Sequence, residues 1–279
     1  VHHWPLPHWS FALAGTLSKV QIAVSSWSLN NLLQPGVWDS PEGVKPAGEP
    51  KPDGIDLLEF PNALAEHGYQ RLELCHFHLP TRDASYLEEL RQALKQSGVT
   101  LQTLLIDEGD ITNPETGERD ANWIKSWVET AEILGAEGAR VIAGKQQWSE
   151  EAFERSAKAL ERFAKSPIRI RIENWFDLLK TPAHLFQLLD TLEGNVGLCM
   201  DFGNWGGATK YEDLAQIAPR AETCHAKAEF LPDGRIEEQD YLKCAQLSRN
   251  AGYTGPYVLV AGGSWDALKR QADFLQAHG

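Results

Sequence analysis

The sequence predicts an α/β protein of one domain, a closed (β/α)8 barrel, on three observations. Eight short apolar or β-branched segments recur along the chain, each bounded by Gly, Pro, Asp or Asn. Amphipathic helical patterns fill the intervals, giving a repeat of about 30–35 residues, the span of a βαβ unit. The chain of 279 residues holds eight such units, since barrels of this kind usually take about 250 residues. A doubly wound open sheet is the competing architecture. It generally carries a Gly-rich turn after its first strand, and Ser25-Ser26-Trp27-Ser28 supplies no glycine.

The strand segments are residues 20–27 (VQIAVSSW), 70–75 (QRLELC), 99–106 (VTLQTLLI) and 139–143 (ARVIA) in the first half. Residues 168–173 (IRIRIE), 196–201 (VGLCMD), 222–227 (ETCHAK) and 257–261 (YVLVA) follow. Between them, residues 86–96 place Leu87, Leu90 and Leu94 on one helical face, and residues 123–134 do the same with Trp127, Ala131 and Leu134. Phe153, Leu160 and Phe163 mark a further helix, and Leu185, Leu188 and Leu192 another. Gly68, Gly98, Gly135 and Gly252 precede the next strand, as helix-ending glycines do. Asp120 and Thr181-Pro182 read as helix starts. The barrel is assigned to residues 20–279, with residues 1–19 as an N-terminal extension.

One interval breaks the rhythm. Residues 33–54 (LQPGVWDSPEGVKPAGEPKPDG) are too rich in Pro and Gly for a helix or a central strand. The segment follows the first strand, so it rises from the C-terminal face of a barrel, where such folds carry their chemistry. Two readings are open: a lid over a substrate with Trp38 at its tip, or a disordered decoration.

Composition narrows the function. With 42% hydrophobic and 23% charged residues the chain builds an ordinary core rather than a disordered one. Its apolar runs are only strand-length, so no membrane-spanning segment is expected. Lys and Arg number 26 against 39 Asp and Glu, a net charge of -13 that repels phosphate backbones and argues against a nucleic-acid partner. That balance suits a divalent cation and a neutral small molecule; self-association into a homo-oligomer is left open. Cys75, Cys199, Cys224 and Cys244 lie far apart with no C-x-x-C pair, which favours buried free thiols and a reducing cytoplasm. Residues 1–11 carry His2, His3, Trp4 and His8 without a basic segment or a long apolar core, so a signal peptide is not expected.

The strand ends carry the candidate chemistry. The third segment runs into Asp107-Glu108-Gly109-Asp110 and the fourth towards Lys145. The fifth ends in Glu173-Asn174-Trp175, the sixth in Asp201-Phe202-Gly203-Asn204, and the seventh contains His225-Ala226-Lys227. Three consecutive strands thus finish with Glu173, Asp201 and His225, each a good ligand for a hard or borderline divalent ion. Alternation puts Arg169, Arg171 and Glu173 on one face, Cys199 and Asp201 on the next, and Thr223, His225 and Lys227 on the third. If those faces point inward, the three ligands converge; otherwise Glu173 and Asp201 merely open the following helices, as acids often do. Lys227, beside a candidate ligand, is a group that polarises a carbonyl or holds an anion; Lys145 is either the same or a solvated loop lysine. Trp38, Trp175 and Trp205 are candidates for stacking on a sugar ring, although most of ten tryptophans pack a core. Glu73, Arg140 and Arg171 read as an internal ion-pair layer below the mouth.

Six segments in register carry a family likeness: RLELC at residues 71–75, ERDANWIKSWVETAEILGAEGARVIAG at 118–144, IEN at 172–174, MDFGN at 200–204, CHAK at 224–227 and GYTGP at 252–256. With them the chain resembles the xylose isomerase-like TIM barrels, the sugar phosphate isomerase/epimerase group, over nearly its whole length. The resemblance implies a metal held by Glu, Asp, His and Glu from strands five to eight, with the two glutamates as the acid/base pair in the epimerases. Glu173, Asp201 and His225 match the first three positions. The fourth departs: Gly255-Pro256-Tyr257-Val258-Leu259 leads to Val260 where the likeness calls for glutamate, and no acid follows before Asp266. A Mn²⁺, Mg²⁺ or Zn²⁺ ion would then need water or another side chain in the gap, with His76, His78 and Asp107 as the substitutes.

The leading expectation is therefore an isomerase or epimerase acting on a sugar or polyol by metal-assisted proton transfer next to a carbonyl, Glu173 being the base. A lyase that dehydrates a sugar-like acid needs one base and tolerates Val260 better. A sugar-binding barrel without catalysis is the third reading. The abasic-site endonucleases of the same superfamily fit poorly, since they need a multi-histidine zinc cluster and DNA affinity, whereas this chain has Asn204 after strand six and a charge of -13.

Overall fold

The computed structural model describes residues 20–260 and 262–278; the expectations for residues 1–19 lie outside the described residues. In chain order the strands are β1 (Ile22–Ser25), β2 (Val37–Ser40), β3 (Gly43–Pro46), β4 (Arg71–Cys75), β5 (Thr100–Leu105), β6 (Gly138–Arg140), β7 (Arg169–Glu173), β8 (Gly197–Asp201), β9 (Ala221–Lys227) and β10 (Tyr257–Val260). Eight of them close a parallel barrel in the order β1-β10-β9-β8-β7-β6-β5-β4, and β2 and β3 form a separate antiparallel hairpin. This is a single-domain (β/α)8 barrel. No helix among the described residues is long and apolar enough to cross a membrane.

The helices are α1 (Phe60–Glu66), α2 (Ala84–Ser97), α3 (Gly117–Leu134), α4 (Glu150–Phe163), α5 (Pro182–Thr191), α6 (Lys210–Ile217), α7 (Glu238–Asn250) and α8 (Trp265–His278). Their starts follow capping chemistry where a short side chain is available: Thr181 Oγ1 accepts the His184 N–H at 3.3 Å, and Pro182 opens α5. The expected start at Asp120 is corrected. Helix α3 begins at Gly117, and Asp120, inside the first turn, accepts the Asp110 N–H at 2.8 Å. The first turn of that helix thus ties down the loop after β5.

The strand in residues 139–143 also shifts. Strand β6 runs from Gly138 to Arg140, so Arg140 ends it instead of standing near its start. A Cβ at Gly138 would lie 2.4 Å from the Arg169 carbonyl oxygen, which is why the closely approaching strand begins on glycine.

Residues 33–54 contain an ordered hairpin. Trp38 lies in its first strand, opposite Lys45, and the tip is the turn Pro41-Glu42, closed by the paired Ser40 and Gly43. Pro46 at the far end pairs with Val37, a position where the missing N–H is tolerated on an edge strand. The hairpin is pinned to the barrel mouth. Val37 N–H donates to Leu79 O at 3.1 Å, His76 Nε2 contacts Asp39 O at 3.1 Å, and Trp123 Nε1 donates to Asp39 Oδ1 at 2.9 Å. Trp38 stacks on Phe77 with centroids 5.2 Å apart.

The main apolar core lies between the outside of the barrel and the helices, with Phe60, Trp127, Phe163 and Phe202 fully buried in it. Inside the barrel a smaller cluster holds, among the described residues, Ala23, Val258 and Val260. The remaining interior positions include Ser25, Glu73, Thr103, Arg140, Glu173, Asp201 and His225, all buried. Buried polar groups need partners, and those partnerships build the site.

Candidate active site

Strands β7, β8 and β9 stand side by side, with Glu173 opposite Cys199 and Asp201 opposite His225. Their inward faces meet at the C-terminal mouth in a cavity of about 300 Å³. One wall is apolar and aromatic, formed by Trp27, Trp38, Phe77, Leu105, Trp175 and Val260. The other is charged, formed by Asp107, Arg140, Glu173, Asp201, His225 and Lys227.

His225 is the hub. Its Nε2 lies 2.8 Å from Glu73 Oε2, while its Nδ1 lies 3.4 Å from Glu173 Oε1 and 3.7 Å from Asp201 Oδ2. Glu73 also accepts Gln102 Nε2 at 2.9 Å and Thr103 Oγ1 at 2.8 Å. Asn204 Nδ2 donates to Glu173 Oε1 at 2.6 Å. Asp201 Oδ1 accepts the backbone N–H groups of Gly203 and Asn204 at 2.6 and 2.8 Å. Asn174 brackets the Asp201 backbone, donating to its carbonyl at 3.1 Å and accepting its N–H at 2.7 Å.

The expected ion-pair layer of Glu73, Arg140 and Arg171 is not formed. Glu73 serves His225. Arg140, ending β6, sits at the mouth with Nη2 2.6 Å from Asp107 Oδ1 and Nε 3.1 Å from Glu173 Oε2. Arg171 joins Arg169 on Glu222 at the opposite end of the barrel, at 3.0 and 2.6 Å.

Burial alone would push the carboxyls of Glu73, Asp107 and Glu173 up. His225 outweighs it at Glu73, Arg140 and His76 at Asp107, and His225 and Arg140 at Glu173, so all three are held below the usual carboxylate range. Burial likewise opposes the His225 imidazolium, yet the flanking acids hold it well above the ordinary histidine value. Burial raises the thiols, Cys75 to about 12 and Cys199 in the same direction, so both stay protonated.

Of the residues singled out from the sequence, Glu173, Asp201, His225, Lys227, Asn204, Trp38 and Trp175 line the cavity. Lys145 and Trp205 are not among the lining residues. Lys145 Nζ lies 3.2 Å from Glu108 and its N–H donates to Asp110. Trp205 is buried in the core with Nε1 donating to Leu179 O at 3.0 Å. The expected substitutes for a fourth ligand are likewise occupied. His76 is engaged by Asp39 O and the Asp107 N–H, His78 by Ser26 Oγ and Asn30 Oδ1, and Asp107 by Arg140.

The donor set fits a divalent cation held by three protein ligands. Two ligands on one tetrahedral ion with bonds near 2.1 Å lie about 3.4 Å apart, close to the observed spacings around His225 Nδ1. Glu73 on the other imidazole nitrogen supplies the outer partner that orients a ligating histidine. Ligand atoms of Glu173, Cys199 and His225 fall within 4.8 Å of one another, and Asp201 Oδ2 lies 3.7 Å from His225 Nδ1. Val260 ends β10 without contributing an acid.

Sequence reasoning missed Arg140, Trp27 and Phe77 as cavity residues. Trp27 and Phe77 sit in single 3-10 turns, Ser26–Leu29 and His76–His78, directly after β1 and β4. The aromatic residue following each strand was the available signal.

A family model described as xylose isomerase-like TIM barrel matches residues 61–277. No curated protein sequence matches the chain. Among solved structures, a xylose isomerase-like TIM barrel protein from Mycobacterium smegmatis in complex with magnesium is 16% identical, with TM-score 0.64 over 93% of this chain and 97% of that one. D-allulose 3-epimerase from Methylomonas sp. is 13% identical, with TM-score 0.67 over 94% and 98%. The probable 3-DHS dehydratase involved in petrobactin synthesis from Bacillus anthracis is 14% identical, with TM-score 0.63 over 92% and 98%. At these identities the structural likeness speaks for the fold, and the family match covers most of the chain. This chain belongs to the xylose isomerase-like TIM barrel family.

Proposed function

We propose that this barrel is an isomerase- or epimerase-type enzyme that moves a proton next to the carbonyl of a sugar or a carbonyl-bearing polyol derivative, with Glu173 as the base. The observation that carries the reading is the placement of Glu173. Its carboxylate is buried and ionised at the cavity floor, with Asn204 donating to Oε1 and His225 Nδ1 at 3.4 Å. A carboxylate held in one orientation beside a substrate carbon is the arrangement general-base catalysis needs. Glu173, Asp201 and His225 would hold a divalent ion such as Mn²⁺, Mg²⁺ or Zn²⁺, which when bound supplies Lewis-acid polarisation of substrate oxygens. Lys227 reaches the same cavity as a further cationic contact for a substrate oxygen, and Trp38 and Trp175 offer apolar faces to a ring. Sugar epimerases among the structural neighbours agree with this reading.

Val260 favours one second reading. The cavity wall contributed by β10 has no group that exchanges a proton, so single-base chemistry, the dehydration of a sugar-like acid, needs nothing the site lacks. The test is incubation with ketoses and sugar acids in deuterated buffer, following loss of the carbon-bound proton and appearance of product by NMR. Exchange at the ketose carbon that falls by ~10²-fold or more in Glu173→Gln supports the proposal. Elimination products from the acids select the lyase, and ligand binding without either reaction selects a non-catalytic sugar-binding barrel.

A further inference from the structure

We propose that Arg140 is the built-in counter-ion of this centre and competes with a divalent cation for Glu173; this rests on the cation site proposed above. Arg140 is only 3% exposed and lies between two carboxylates, Asp107 and Glu173. The two contacts differ in kind. Nη2 makes a hydrogen bond to Asp107 at 2.6 Å. Towards Glu173 there is charge proximity, Nε to Oε2 at 3.1 Å, but no aligned hydrogen bond: Arg140 Nε and Nη1 and Glu173 Oε2 are all buried without one. The guanidinium is therefore anchored on Asp107 and only leans on Glu173. The face of its plane is covered by Trp175, with the ring centroid 5.4 Å away, which limits its retreat.

Charge makes the competition unavoidable. A cation placed between Glu173 Oε1, Asp201 Oδ2 and His225 Nδ1 meets two carboxylates, and a guanidinium already neutralises part of the first. Val260, at the end of β10, adds no compensating acid. Two like charges a few ångströms apart in a buried site repel strongly enough to change an affinity by orders of magnitude. Arg140 thus neutralises Asp107 and part of Glu173 from within the cavity, and a metal ion loads against it.

The experiment is titration of Mn²⁺ into the metal-stripped full chain, reading free ion by electron paramagnetic resonance, for the wild type, Arg140→Met, Arg140→Lys and Lys227→Met. Arg140→Met should bind Mn²⁺ at least ~10-fold tighter than the wild type, and Arg140→Lys, which keeps the charge, should stay close to it. Lys227→Met removes a positive charge from the same cavity without freeing Glu173, and should shift affinity far less. Should Arg140→Met fail to fold, the double variant Arg140→Met with Asp107→Asn removes the whole ion pair and should bind tighter than Asp107→Asn alone. Equal affinities of wild type and Arg140→Met, or equal gains from Arg140→Met and Lys227→Met, would overturn the competition while leaving the cation site intact. Absence of Mn²⁺ binding in every form would overturn both.

Discussion

Replacing Glu73 by glutamine isolates the contribution of the carboxylate behind His225. Glu73 is 1% exposed and accepts three side-chain hydrogen bonds, from Gln102, Thr103 and His225. Glutamine keeps the volume and one acceptor oxygen, which suffices for Gln102 and Thr103 on the Oε1 side. The other branch becomes an NH2 group facing His225 Nε2, so a charge-assisted bond is lost and a donor–donor contact takes its place. Hydrogen bonds to charged groups contribute about 1.5–3 kcal/mol, and breaking a buried ion pair from one side costs about 3–5 kcal/mol. The imidazole has Glu173 and Asp201 on its other nitrogen, which offsets part of this, and about 2–4 kcal/mol is the expected loss. For a barrel of this size each kcal/mol lowers Tm by about 2–4 °C, so Glu73→Gln should melt roughly 4–16 °C below the wild type. Differential scanning calorimetry of both proteins at neutral pH measures this. A Tm within about 2 °C of the wild type would refute the argument and mean that the Glu73–His225 contact adds nothing net to the fold.

Two further outcomes follow from the same geometry. Val260→Glu places a carboxylate on the cavity wall formed by β10, so Mn²⁺ affinity measured by calorimetric titration should rise; unchanged affinity would mean that another group already completes the coordination. At the opposite end of the barrel, burial pushes the Glu222 carboxyl up but the hydrogen-bonded Arg169 and Arg171 outweigh it and hold it low. A depressed carboxyl stabilises the fold above its unfolded value, and that contribution fades as pH falls through the folded value. The gap in urea midpoint between wild type and Glu222→Gln should therefore be constant from about pH 6 to 8 and close below about pH 4; a gap that widens in acid would contradict the assignment.

Period-two alternation made much of the site legible before any contact was known. Glu173 and Asp201 end β7 and β8, Asp201 pairs with His225 on β9, and their side chains meet as the strand faces require. Arg140 was less legible because its depth depends on where β6 ends. Read as residues 139–143, the strand places Arg140 near its start; it ends at Arg140, which lifts the guanidinium to the mouth. The hairpin of β2 and β3 was hidden by its own Pro and Gly content, since its pairing is an edge arrangement that tolerates both.

Local residue order by itself determined the repeating strand and helix units, the helix-ending glycines and the inward faces of the strands, because these depend on backbone geometry over a few residues. Only the tertiary structure decided the partnerships. Glu73 and His225 are 152 residues apart in the chain, and their pairing follows from barrel closure and from the stagger between β4 and β9. The same closure sent Arg171 to Glu222 and Arg140 to Glu173. It likewise gave Lys145 to Glu108 and Trp205 to the core, leaving both out of the cavity. Which acid neutralises which base is a question of distance in a low-dielectric interior, and distance is the quantity a linear sequence does not contain.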